Sequence, residues 1–590
     1  MENEVLKTEK ILVAVSWPYA NGNIHIGHLA GQNIAADVFA RYHRLKGNKV
    51  LTVSGSDCHG APIIVKAEEL GITPAELAEQ SHQKIVETYK KLGLLYENYT
   101  KTMTENHKVV VQNIFLVLKE LGYLDIQESE QYYDPKVKRF LPDRYVKGTC
   151  PNCGATNARG DECPECGAYL NPTDLIDPYS TLSDAKPVLK KTEHFYLNLT
   201  KLQKQISTWV KANDKRWRKW VREFTRGWLK QGLEPRAVTR DLGFGVPVPV
   251  EGWESKVIYV WLEAVAGYLS ASIEWAANQK VPAAWEEFWK DSEAKHYYFI
   301  AGGNVPFHTV MWPAELIAYN GKYNTDLEHD YKLPGETDKK ILNLPYDVPA
   351  NKMLFYKGKK MSKGDGTGIT LEYVLERYSP DLLRFFFIRY APENNDREYI
   401  WKDFIDANNN ELVANLGNFI NRVLTFTASK FGNKIPEGKL EQEVEEAIVN
   451  AFKQVGDSIE NTKFIQSMEH ILELGKFANK YFNDKKPWET LKTDADEAAN
   501  TMYNSIQLVN AFRVLLKPYV PFSMAKLESY LNIKDEYDAN KELEEKGYVS
   551  ENKDTWTFKE LEIGRKLNNS EILFEKLEYT DELKHFDEEV

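Results

Sequence analysis

Three short groups of residues in this chain have the types and spacing to do chemistry. His25 and His28 stand three residues apart in His25-Ile26-Gly27-His28, and Lys360 and Lys363 stand three apart in Lys360-Met361-Ser362-Lys363. Four cysteines form two close pairs, Cys150 with Cys153 and Cys163 with Cys166. Two imidazoles at that spacing share one face of a helical turn, where both can donate to phosphate oxygens. The lysines are interleaved with Gly358, Gly364, Gly366 and Gly368. Such a cationic loop can close over a polyphosphate and open again. Two C-x-x-C turns separated by nine residues suit one tetrahedral zinc site, and four thiolates leave no open position, so that metal is structural.

The elements that must hold these groups follow from pattern. Ile11 to Val15 has the length and branching of a buried parallel strand, Pro18 ends it, and Asn21-Gly22 supplies a turn. From His25 onward Leu29, Ile34, Val38, Phe39 and Tyr42 recur at helical spacing. Strand, turn and helix start make an anion site, because free N–H groups and the helix dipole face the ligand and Gly27 permits close approach. Lys49 to Ser54 predicts a second strand, with Asp57 at its carboxyl end facing the crevice of a doubly wound sheet. There Asp57 can bind an amine or form a turn, while Cys58 reads as a small packed residue.

Gly71 to about Leu124 reads as helical, with Thr73-Pro74 as its start and Gly93 as a stop. After the cysteines, Asp184 to Leu199 contains a strand-like return, and Trp209 to Gln231 reads as one basic helix. Its Trp217, Trp220, Val221, Phe224 and Trp228 form a buried face. Its Lys215, Arg216, Arg218, Lys219, Arg222, Arg226 and Lys230 form either a seat for RNA phosphates or a solvated face. Lys256 to Trp261 and His296 to Ala301 then read as strands. The α/β pattern thus resumes after a break of about 115 residues, as one nucleotide-binding domain split by a zinc-bearing insertion. Gly321 to Pro349 reads as a loop leading out of that domain.

From Trp401 the spacing is helical over Asn409–Ser429, Leu440–Phe482, Asp494–Leu516 and Phe522–Leu531, an α-bundle. Trp488 follows Lys485-Lys486-Pro487 and either plugs two helices or stacks on an unpaired base, a contact worth about 1–3 kcal/mol. Trp556 to Leu577 reads as a short closing segment after a charged stretch.

Composition sets outer bounds. At 590 residues the chain needs several cores. The net charge of −12 excludes a nucleic-acid partner held by the surface as a whole and leaves only local basic faces. No apolar run reaches the roughly 20 residues of a membrane span, and the charged N-terminus is not a secretion signal, so a cytoplasmic protein without a membrane partner is expected. In that setting four of the five cysteines in C-x-x-C pairs mean metal before disulfide.

Pro18-Tyr-Ala-Asn-Gly-Asn-Ile-His-Ile-Gly-His28 resembles the first signature of the class I aminoacyl-tRNA synthetases, in the wording of their methionyl branch. Lys360-Met-Ser-Lys363 resembles the second, and Gly55-Ser-Asp57-Cys-His-Gly60 a segment whose aspartate holds the substrate ammonium. The resemblance covers about residues 9 to 577. It implies an α/β, Rossmann-type doubly wound catalytic domain split by the zinc insertion and followed by a helical anticodon-binding bundle. The corresponding ranges are 1–120, 121–235 (insertion), 236–330, 331–395 (the K-M-S-K region), 396–537 (bundle) and 538–590.

The resemblance further implies a ligase that joins L-methionine to tRNA(Met) using ATP with Mg. In it His25, His28, Lys360 and Lys363 act on the phosphates, and Gly27, Gly303 and Asn304 also contact ATP. The methionine pocket falls on Trp17, Tyr19, Asp57, Arg240, Trp261, Ala264, Tyr268 and His308. Anticodon contacts fall on Asn418, Arg422 and Trp488, and zinc on Cys150, Cys153, Cys163 and Cys166. A monomer is expected, since the dimerising domain of some members is not found.

Three departures stand out. Gly364 replaces the final serine of K-M-S-K-S, Gly31 stands where some members have glutamate, and Ala301-Gly302-Gly303-Asn304 replaces a G-K-D-N wording. They keep open a catalytically silent tRNA-binding relative. A valine, isoleucine or leucine ligase is the other alternative, although the editing insertion of those enzymes hardly fits this length.

Overall fold

The computed structural model describes residues 8–142, 145–160, 163–166, 168, 170–361, 368–533 and 556–588. Lys363 and Gly364 therefore lie outside the described residues. Five parallel strands form the central sheet in the order Ala350–Asn351, Lys295–Ala301, Lys10–Val15, Lys49–Ser56, Asn98–Lys101. The strand order reverses beside Lys10–Val15, where Val13 pairs with Tyr297 on one side and Thr52 on the other. A crevice opens at the carboxyl ends of the strands at such a reversal.

Both faces of the sheet are covered, which is why Ile11 to Val15 is apolar without alternation. Ile11, Val13 and Val15 face a core shared with helix Ile34–Leu45 and the C-terminal bundle. Leu12 and Ala14 face helices Glu105–Glu120, Val260–Asn278 and Trp312–Asn320. Helix Ile34–Leu45 is buried at every position, and its charges are answered internally. Asp37 accepts from Arg41 at 2.7 Å, from the Leu95 N–H at 2.9 Å and from Arg384 at 2.6 Å.

Several expected elements are redrawn. The stretch from Gly71 to Leu124 is two helices, Pro74–Lys91 and Glu105–Glu120, separated by the sheet strand Asn98–Lys101. The Thr73 start stands, with Thr73 and Glu76 forming a reciprocal cap. The basic helix is also two, Leu199–Asn213 and Lys219–Gln231. Between them Asp214 is fully buried, taking Arg226 at 2.6 and 3.1 Å. Lys256 to Trp261 holds only a two-residue strand, Val257–Ile258, before helix Val260–Asn278 begins. The loop after Gly321 does not leave the nucleotide domain. It returns to supply edge strand Ala350–Asn351, so the sheet reaches past residue 330.

The insertion is a long antiparallel ribbon, Leu124–Asp134 against Val188–Leu197, carrying a small sheet of Val146–Thr149, Ala158–Arg159 and Ile176–Ser180. Beyond the sheet, helix Pro380–Arg389 leads into a bundle whose main helices are Asn418–Phe431, Gln442–Glu460, Phe464–Lys485, Ala495–Leu516 and Pro521–Tyr530. The span Leu440–Phe482 divides at Thr462, whose φ of 54° no right-handed helix admits. The closing segment returns to the catalytic domain, where the Trp556 N–H donates to Leu45 O at 2.9 Å.

Candidate active site

The first signature segment is joined by backbone bonds to Ile369–Leu371, the residues that follow the second. The Ile26 N–H donates to Ile369 O and the Leu371 N–H to Ile24 O, both at 3.0 Å, while His25 bridges Thr370. A side chain at Gly27 would stand 2.9 Å from the His25 ring, so glycine is what leaves that ring its place, and Met361 Sδ lies at ordinary contact distance beyond it, 3.6 Å. Lys360 sits in a hairpin, Leu354–Tyr356 with Lys359–Lys360. Its turn, Lys357-Gly358, has φ of 53° and 68°, as a two-residue hairpin requires.

The His25 and His28 rings lie 4.1 Å apart. The His25 N–H donates to His28 Nδ1 at 3.3 Å. His28 Nδ1 also lies 3.2 Å from His25 O, so the ring is tied to the His25 backbone through Nδ1 in either tautomer. The helix then widens into a π-turn over Leu29–Asn33, and a second π-turn, Phe307–Met311, follows the neighbouring strand. π-turns of this kind recur at functional sites.

Around the crevice the expected pocket residues come together. The Trp17 ring lies flat over Gly55 and Gly267, whose side chains would stand 2.5 and 2.8 Å from it, and meets Tyr268 edge-on at 6.4 Å. Tyr268 and His308 are buried and joined at 2.7 Å, and His308 Nδ1–H donates to Asn304 O at 2.8 Å. Burial depresses His308 to about 4 against that backbone bond, so its neutral ring accepts from the Tyr268 hydroxyl through Nε2. Trp261 and Ala264 lie on the first turn of helix Val260–Asn278, with Trp261 against Phe307 at 4.9 Å and Tyr259 at 5.4 Å. Arg240 covers Tyr259 at 3.6 Å and donates to Ala237 O and Thr239 O. Gly303 is exposed in the turn Gly302–Asn304. Two departures touch, since a side chain on Gly31 would stand 3.3 Å from Ala301 Cβ.

Asp57 is buried beside Tyr19. The Ala20 N–H donates to Asp57 O at 2.7 Å, and the Asp57 N–H to Pro18 O at 2.9 Å. Burial, then the charge of Glu263, pushes its carboxyl well above the usual range, a state that an entering cation would reverse. Cys58 is buried with its thiol pushed up, as suits a packed residue and not a nucleophile. Glu263 and His107, both fully buried, and the ring of His59 belong to this site and were not anticipated. The available signal was a lone acid in the apolar run Val260-Trp-Leu-Glu-Ala-Val-Ala266.

Outside the crevice, the four cysteine sulfurs all lie within 4.8 Å of one another. Cys153 and Cys163 are 3.6 Å apart, and Cys150 and Cys166 3.9 Å. Tetrahedral ligation at about 2.3 Å places sulfurs about 3.8 Å apart, so the set fits a metal ion. Lys215, Arg216, Lys219, Arg226 and Lys230 are exposed, while Arg218 turns inward. Arg218 donates to Ala350 O at 2.6 Å and Thr462 O at 2.8 Å, and Arg226 is held by Asp214. Phe224, expected in the buried face, is 37% exposed. In the bundle Arg422 lies between Phe482 (4.8 Å) and Trp488 (5.6 Å), bonded to Asn483 at 2.9 Å, with exposed Asn418 one turn before it. Trp488 is 37% exposed.

A doubly wound sheet split by an insertion, with the His25–His28 turn at its strand reversal and a helical bundle after it, is the architecture of a class I aminoacyl-tRNA synthetase. Residues 11–424 match the family of tRNA synthetases class I (M), and residues 432–589 match the anticodon binding domain of methionyl tRNA ligase. The chain is 40% identical over 586 residues to a methionine–tRNA ligase of Thermomicrobium roseum, with 97% of each chain covered. It is 43% identical over 534 residues to one of Roseiflexus sp., covering 89% of this chain and 87% of that one. The structure of Mycobacterium tuberculosis methionyl-tRNA synthetase bound by methionyl-adenylate superposes with a TM-score of 0.74 at 19% identity, covering 96% of this chain and 100% of that one. The chain belongs to the methionyl-tRNA synthetase family.

Proposed function

We propose that the protein is a methionine–tRNA ligase. The observation that supports this reading is the backbone union of Ile24–Ile26 with Ile369–Leu371, at the carboxyl ends of the sheet strands where Asp57 also stands. Asp57 takes the methionine ammonium. Trp17, Tyr19, Trp261, Ala264, Tyr268 and His308 enclose the thioether, which favours aromatic edges by about 0.3–1.5 kcal/mol per contact. Arg240 stands for the carboxylate. A methionine carboxylate oxygen attacks the α-phosphorus of ATP, and the bond to the bridging oxygen breaks as pyrophosphate leaves. A terminal ribose hydroxyl of the tRNA then attacks the methionyl carbonyl and AMP leaves.

Little covalent chemistry falls to the protein, so positioning and charge stabilisation supply the rate. His25, His28, Gly27 and the helix start hold phosphate, Gly303 and Asn304 line the nucleotide, and Lys360 and Lys363 neutralise the leaving pyrophosphate. Mg arrives with ATP. The cysteine set would hold zinc as a closed structural site that staples the insertion. Asn418, Arg422 and Trp488 read the anticodon, and the domain ranges given above divide these tasks, with the catalytic sheet extended to residue 351. No helix of the described residues is long and apolar enough to cross a membrane; we read the protein as a cytoplasmic monomer.

Methionine-dependent exchange of pyrophosphate into ATP tests the reading. Wild-type protein should exchange, and Lys363→Ala should slow adenylate formation at least about tenfold, roughly 1.4 kcal/mol, with methionine affinity nearly unchanged. Absence of exchange in folded wild-type protein would leave the tRNA-binding relative.

A further inference from the structure

Glu263 is a carboxylate with no exposed surface, and its Oε1 receives the His59 Nδ1–H at 2.5 Å and faces His107 Nε2 at 3.4 Å. His107 is itself tied to Ser270 at 2.8 Å. Removing an ionised carboxylate from water is costly unless it is closely paired. Against the penalty of burial the two histidines hold Glu263 down at about 2, so it is charged. Its second oxygen, Oε2, is buried with no hydrogen-bond partner among the described residues.

The same His59 whose ring serves Glu263 turns its backbone N–H to Asp57 Oδ1 at 3.2 Å. Phe244 meets that ring edge-on at 5.0 Å, so His59 is fixed from two sides. The chain of contacts runs from the helix that carries Trp261 and Ala264, through His59, to the carboxylate at the end of strand Lys49–Ser56. Burial and the charge of Glu263 keep a proton on Asp57 until a cation arrives, and His59 is the group that ties the two carboxyls together where a primary ammonium would enter.

We propose that Glu263 is a positioning residue for the amino group of the substrate, holding His59 and through it the Asp57 carboxylate. This rests on the reading of Asp57 as the ammonium seat, and the two are separable. In pyrophosphate exchange with the full chain, Glu263→Gln should raise the methionine KM about tenfold while the ATP KM stays within about twofold. Inhibition by 4-(methylthio)butanoate, the acid without the amino group, should be unchanged, because only the ammonium is affected.

Asp57→Asn, measured in parallel, should also raise the methionine KM. If it does and Glu263→Gln does not, the role of Glu263 is overturned and that of Asp57 survives. If neither does, both readings fall. Equal weakening of methionine and of the deaminated acid would mean a collapsed pocket and would also overturn the proposal. Should Glu263→Gln not fold, His59→Gln carries the same test with the same deciding outcomes, since it removes the ring that Glu263 holds and keeps the backbone donor.

Discussion

At the carboxyl end of the parallel sheet Asp57, His59, His107, Glu263 and His308 are all buried, whereas at the end of helix Phe464–Lys485 Arg422 and Trp488 reach the surface. The contrast extends to the cores. The catalytic half buries many acids and bases, among them Asp37, Arg41, Lys290 and Glu315; in the described bundle from Trp401 to Tyr530, Glu528 is the one buried carboxylate or cation. The catalytic end holds titratable groups away from water, with Asp57 pushed up, His308 pushed down and Glu263 held charged by its histidines. A platform that stacks on a base needs only a rigid support and an exposed ring. Sensitivity to pH and to single charge changes therefore belongs to the first region.

The largest expected effect breaks the joint between the two. Arg384 is fully buried and donates to Asp37 at 2.6 Å, to Tyr519 O at 2.9 Å, to Pro518 O at 2.8 Å and to Leu92 O at 3.3 Å. Arg384→Ala leaves three carbonyls and half of the Asp37 charge unanswered, a loss of about 3–5 kcal/mol. Calorimetry should show the bundle melting at lower temperature than the catalytic half. A single unshifted transition would mean that the apolar core common to both carries the joint alone.

Next in size is a pH effect confined to the catalytic half. Glu315 is fully buried on helix Trp312–Asn320 with neither carboxyl oxygen partnered among the described residues. Burial raises its carboxyl well above the usual 4.5, so the folded protein keeps a proton that the unfolded chain releases. Stability from this group is full below the unfolded value and falls as pH rises through the raised folded one, by up to about 1.4 kcal/mol per pH unit. In Glu315→Met that slope should vanish and stability at pH 7 should rise. Denaturant melts from pH 5 to 8 check it, and parallel stability curves for the two proteins would refute it.

Trp488→Ala addresses the platform. Losing one stacked base costs about 1–3 kcal/mol, so aminoacylation should fall roughly 5- to 150-fold while pyrophosphate exchange is spared. Helix Phe464–Lys485, about 33 Å long, runs from Phe464, which packs on Phe299 of the sheet, to the end where Trp488 stands. At that distance a direct effect on exchange is not expected, and equal loss in both assays would sink the assignment of the bundle.

Much of this division was legible in the sequence because it depends on patterns with a period. Strands Lys10–Val15 and Lys295–Ala301 are apolar runs, and both signature segments are local. Strand Asn98–Lys101 was hidden because Asn-Tyr-Thr-Lys sits at the sheet edge, where one polar side costs nothing. The break at Asp214 and the turn at Thr462 carry no glycine or proline to announce them. Glu263 was missed for a related reason, since what makes it matter is His59, 204 residues away in the chain. Side-chain pairings at that separation leave no periodic trace.

The smallest effect adds a charge to the catalytic end. The resembling family carries an aspartate where Gly303 stands, and a glycine offers a nucleotide ribose no carboxylate. Gly303 lies in a right-handed turn and is not among the glycines with positive φ, so its backbone admits a side chain. It is exposed, so the new carboxylate would face solvent until nucleotide arrives. One charge-assisted hydrogen bond is worth about 1.5–3 kcal/mol when desolvated, and partial exposure here leaves about 1.4, a tenfold lower ATP KM. Methionine KM should not move, because His308 and Asn304 are joined through the Asn304 carbonyl and not through Gly303. ATP titration of pyrophosphate exchange for wild type and Gly303→Asp decides it. An ATP response that is unchanged or weaker in a folded variant would assign the ribose to the Asn304 side of the turn, and the catalytic end would then hold its nucleotide without a carboxylate at this position.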